Sequence, residues 1–120
     1  MLPEFRKYFP TACFASSKRG TIITLTGLKP GSTIFYFASR PLKNPAHVWH
    51  DHHRAYVVGG KLTNSGIGHV KPDGTVLIRI ENPGQYVNSK DGKIHPHHCH
   101  FVYWNLRTKS WRNTLHTMVL

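Results

Sequence analysis

The sequence predicts an all-β protein, a single-domain antiparallel β-sandwich of about seven strands. Three observations predict it. Turn signals recur at short intervals, among them Lys18-Arg19-Gly20, Leu28-Lys29-Pro30-Gly31, Asn64-Ser65-Gly66, Pro72-Asp73-Gly74, Asn82-Pro83-Gly84 and Lys90-Asp91-Gly92. The runs between them are too short for helices and rich in β-branched and aromatic residues. No window sustains the i, i+3, i+4, i+7 spacing of an amphipathic helix.

Taken in order, residues 1–20 read as an N-terminal arm and residues 21–120 as the sandwich. TIITLT (Thr21 to Thr26), STIFYFAS (Ser32 to Ser39), TVLIRI (Thr75 to Ile80) and HFVYWN (His100 to Asn105) are the clearest strands. Along TVLIRI, alternation places Val76, Ile78 and Ile80 on a buried face and Thr75, Leu77 and Arg79 on a wet one. There is no internal repeat, low-complexity tract or interdomain linker.

Composition bounds the function. A chain of 120 residues with 39% apolar content has enough material for a core without disulfide staples. Cys13 and Cys99 form no CxxC pair, and both read as reduced. No run of about 18 apolar residues is available to span a bilayer, and the N-terminus lacks the hydrophobic stretch of a signal peptide. The expected setting is intracellular, in cytoplasm or nucleus, or inside a virion. Sixteen Lys and Arg face five acids, for a net charge of +11 with histidines neutral. Such a surplus favours an anionic partner, nucleic acid or another polyanion. The segment VYWNLRTKSWR interleaves aromatics with cations and could stack on bases, although the same aromatics also suit a core.

The chemistry concentrates in HPHHCHFVYW, His95 to Trp104. If residues 98–104 are extended, His98, His100, Val102 and Trp104 project to one side and Cys99, Phe101 and Tyr103 to the other. Two imidazoles about 7 Å apart at Cβ on one face are a chelate for a metal ion. Cys99, facing away, is then a buried small apolar residue. Trp49 to Tyr56, WHDHHRAY, adds His50, Asp51, His52 and His53, and a carboxylate among imidazoles can ligate a metal or fix a ligand's tautomer. Tyr86, after the Asn82-Pro83-Gly84 turn, is a ligand type that a ferric ion can ionise. The competing reading makes these histidines solvated polar residues of a basic surface. The candidate metal ligands are therefore His98, His100, Tyr86, His95, His50 and Tyr56, with iron or copper first and zinc also suited to imidazole.

The stretches PLKNPAHVWHDHHRAY, DGTVLIRIENPGQY and HPHHCHF resemble the metal-site half of intradiol ring-cleaving dioxygenases, over residues 41–101. The resemblance implies a β-sandwich in which Tyr56, Tyr86, His98 and His100 would hold a non-haem ferric ion. His95 stands where that family has an arginine and Ala55 where it has a glycine, so the resemblance implies kinship of fold with ring cleavage open. HPHHCH is also similar to the HPxHxH element of multicopper oxidases, without the second copper-binding element those enzymes need. YFASRP, NSGIGHVKPDG and VYWNLRTKSWRNTLHT resemble small proteins of large DNA viruses of eukaryotes.

Overall fold

The computed structural model describes residues 5–10, 20–39, 48–49, 56–81, 86–88, 94–95 and 98–120, and everything below concerns those residues. They form an all-β architecture built mainly of antiparallel strands. At its centre runs β10 (His98–Asn105), eight residues of which the first five are buried. One edge of β10 pairs with β2 (Thr33–Ala38), from Cys99 opposite Ala38 to Tyr103 opposite Ile34. The other edge is divided. Its first half pairs with β12 (His116–Val119) and its far end with β11 (Ser110–Trp111). Beyond β2 lies β6 (Ser65–His69), which completes the central sheet.

β2 is covered on both faces, so its side chains divide between two cores as strand alternation requires. Ile34, Tyr36 and Ala38 point to one side with Cys99 and Phe101 of β10. A two-stranded ribbon of β1 (Thr21–Leu25) and β7 (Val76–Ile80) closes that side, contributing Leu25, Val76, Ile78 and Ile80. Val76, Ile78 and Ile80 are each 1% exposed whereas Leu77 is 49% exposed, in keeping with the one-sided burial read from TVLIRI. The ribbon is seated tightly. Gly20 enters β1 at φ +95°, and a Cβ there would lie 2.1 Å from the Ile80 carbonyl carbon. Buried Asn64 ties the two layers together, donating from Nδ2 to the carbonyls of Ser39 and Glu81 and accepting the Glu81 amide at Oδ1.

On the opposite face, Phe35 and Phe37 of β2 and Val102 of β10 meet Trp111, Ile67, and the short pair β4 (Val57–Val58) and β5 (Lys61–Leu62). Of the segment 1–20 read as an arm, residues 5–10 are described. Phe5 and Phe9, flanking the single turn Arg6–Tyr8, are buried in this aromatic core. Arg6 fastens the turn by donating to the carbonyls of Trp111 and Arg112.

Two details differ from the expected architecture. Twelve strands occur among the described residues, of which six have four residues or more, because the edges are made of fragments too short to show a period. One of the pairings is parallel: β3 (Val48–Trp49) runs alongside β8 (Tyr86–Asn88), which pairs antiparallel with β9 (Ile94–His95). No helix among the described residues is long and apolar enough to cross a membrane.

Candidate metal centre

Alternation along β10 sends His98 and His100 to the aromatic face, 8% and 5% exposed. Their rings meet edge-on with centroids 4.6 Å apart, and the two Nε2 atoms are 3.0 Å apart. Tyr56, fully buried at the start of the β4 segment, brings its hydroxyl to both. The Tyr56 oxygen lies 2.9 Å from His98 Nε2 and 3.1 Å from His100 Nε2. Three donor atoms from two distant parts of the chain thus form a nearly equilateral triangle.

The surroundings fix its members. Phe37 packs against Tyr56 and His100 at centroid distances of 6.0 and 5.4 Å, and Phe5 lies 5.4 Å from the Tyr56 ring. Thr117, in the middle of β12 and directly opposite His100, places its Oγ1 2.8 Å from His100 Nδ1. With that hydroxyl accepting from Nδ1–H, Nε2 turns a lone pair toward the triangle, which is how an outer partner orients an imidazole ligand. All three members of the triangle also have interactions beyond it.

Hydrogen counting shows why the arrangement is unusual. A ring nitrogen offers a hydrogen or an in-plane lone pair, not both, and the phenol brings one hydrogen. One imidazole must accept in the His98–His100 contact, so at most two hydrogens serve three contacts. Two hydrogens give each of the three atoms a partner and leave one of the three close contacts unbridged. A cation would suit the same three atoms, because all of them could present lone pairs to it at once. Tyr56 Oη, His98 Nε2 and His100 Nε2 would be the atoms to hold such an ion, since separations of about 3.0 Å allow bonds of about 2.0–2.1 Å from all three.

Of the six candidate ligands, Tyr56, His98 and His100 come together. Tyr86 and His95 stand opposite one another in the β8–β9 register, and only their backbone is described. His50 lies outside the described residues, as do Asp51, His52 and His53. Among the described residues, no three His, Cys, Asp or Glu side chains converge; the set here is two imidazoles and a phenol. Cys99 faces the aliphatic core, where burial pushes its thiol up to about 12, as the alternation of β10 anticipates. Thr117 escaped the sequence reading, since seventeen residues of chain separate it from His100 and no local pattern links them.

Comparison of the chain with protein-family models, with curated proteins and with solved structures gives no match.

Proposed function

We propose that this protein binds a single transition-metal ion, iron or copper before zinc, through Tyr56 Oη, His98 Nε2 and His100 Nε2. The observation that carries the reading is the buried triangle of three donors with edges of 2.9, 3.1 and 3.0 Å and too few hydrogens to bridge them. Imidazole suits all three metals, and a phenolate beside a trivalent or divalent cation favours iron or copper, because the ion's charge stabilises the ionised phenol. The resemblance to intradiol dioxygenases points to the same ligand types, and Tyr56, His98 and His100 are three of the four residues it implies. Tyr86 is the fourth. The reading is of a metal-binding β-sandwich related to those enzymes. Phe5 and Phe37 give the site an apolar wall that lowers the local dielectric around the ion.

Elemental analysis of protein purified without a nickel column tests this. The expected result is about one equivalent of iron or copper per chain, lost in the His98→Ala/His100→Ala double variant. Tyr56→Phe keeps the ring in its core site, so it remains informative should the double variant fail to fold. Loss of metal-dependent visible absorbance in Tyr56→Phe supports the phenol as ligand. Metal content unchanged in a folded double variant, or no uptake of ferrous, cupric or zinc ion by the wild type, removes the proposal.

A further inference from the structure

At the far end of β10 the surface changes character. Seven residues separate His98 from Asn105, which at about 3.3 Å per extended residue puts some 23 Å between the triangle and the β10–β11 turn. There a depression of about 530 Å³ opens, with Lys29, Arg107 and Arg112 around it and Trp104 and Thr33 in its lining. Trp104 also lines a second depression of about 260 Å³, shared with Arg6, Lys109 and Trp111. A third joins the two, bordered by Arg6 and Arg112. Five cations therefore follow one another around a pair of tryptophans. No carboxylate lines any of the three depressions among the described residues.

The scaffold under this track is fixed. Asn105 Oδ1 accepts from the amides of Arg107 and Thr108, and Lys109 turns the chain at φ +52°. The Arg112 amide then donates to the Tyr103 carbonyl. Trp111 is buried, and its indole N–H donates to the Pro10 carbonyl. Trp104 leans edge-on against Trp111 at 4.8 Å and 71°, half-buried, so its orientation is held by a ring that is itself pinned. Arg107, Lys109 and Arg112 are exposed beside it. A held aromatic ring between guanidinium and ammonium groups offers a stacking surface and phosphate contacts together. Isolated phosphate groups would use the cations alone; an unstacked base uses the ring as well.

We infer that this end of the sheet binds single-stranded nucleic acid without sequence preference, with backbone phosphates on Lys29, Arg107 and Arg112 and a base against Trp104. The site is independent of the metal centre and stands or falls separately.

The test is fluorescence anisotropy of a labelled 15-nucleotide oligo(dT) against the full-length protein across a salt series. Arg107→Ala/Arg112→Ala is expected to weaken binding at least about ten-fold and to lower the slope of log K against log salt by about 1.4, at roughly 0.7 per lost phosphate contact. Both residues are exposed, so the fold should persist, which circular dichroism verifies. Trp104→Leu should lose about ten-fold with the slope unchanged. Lys61→Ala/Lys71→Ala removes the same charge from exposed positions outside the track and is expected to bind nearly as the wild type. Equal weakening by the two charge-matched doubles would overturn the proposal in favour of diffuse attraction. So would tighter binding of a duplex of the same length, or binding of inorganic polyphosphate as tight as that of the oligonucleotide.

Discussion

The two faces of the central sheet each bury a tyrosine completely, and the two hydroxyls have opposite circumstances. Tyr36, on the aliphatic face, donates to the Arg79 carbonyl and accepts the Arg79 amide, so its oxygen is matched to the backbone of the covering ribbon. Burial dominates in raising its phenol above the ordinary value, with the Arg79 contacts opposing. Tyr56, on the aromatic face, meets two imidazole nitrogens that also lie 3.0 Å from each other, so at most two hydrogens face three contacts. One face closes its polar groups on the backbone, and the other brings three side-chain polar atoms together with fewer hydrogens than contacts. Neighbouring residues of a single strand take part in each: Cys99 and Phe101 in the first, His98 and His100 in the second. Alternation lets one strand serve an aliphatic core on one face and the histidine–tyrosine cluster on the other.

If that division holds, damage to the aliphatic face should lower stability and spare the metal. Ile78→Ala, at a position 1% exposed, should cost about 2–5 kcal/mol in urea unfolding while the folded fraction keeps its metal content. A loss of metal in proportion to stability would show the faces to be coupled. The tyrosines sharpen the contrast. Tyr36→Phe strands the Arg79 amide and should cost about 1–2 kcal/mol with metal affinity unchanged. Tyr56→Phe should move the metal-free protein by less than about 1 kcal/mol, since it removes a hydroxyl from a hydrogen-poor cluster. Its metal affinity should fall by more than the roughly 10–100-fold that loss of an outer partner costs. Competition titration with a chromophoric chelator reads that difference.

The smallest expected effect lies far from both faces. Asp73 Oδ1 accepts from the amide and hydroxyl of Thr75, which holds its carboxyl below the usual carboxylate value. A depressed carboxyl contributes stability that is present above its unfolded pKa and is lost as pH falls through the lower folded one. Thr75→Val should therefore lower stability slightly at neutral pH, flatten its decline below about pH 4 and leave metal content unchanged. An acid limb identical to that of the wild type would remove Asp73 from it.

Much of this was legible in local pattern. The period of two identifies the buried side of residues 76–80 and sorts residues 98–104 between the two faces of β10, because side-chain direction in a strand is set residue by residue. It also places the two imidazoles on one side of β10. What local pattern does not carry is pairing. That β1 joins β7, or that Thr117 lands opposite His100, depends on register between segments distant in sequence. Phe5 and Phe9 sit in a stretch with prolines and charges and no period, so their burial in the aromatic core was hidden as well. Strands of two residues leave no periodic trace at all.

The split outer edge of β10 has a kinetic meaning. The half that bears the imidazoles is zipped to four residues, His116–Val119, whose last member is 73% exposed. Short peripheral strands fray first in native-state exchange. Were this one to peel away, the Thr117 hydroxyl beside His100 would depart with it, so the residence time of an ion bound as proposed would follow the breathing of β12 before it followed unfolding of the molecule.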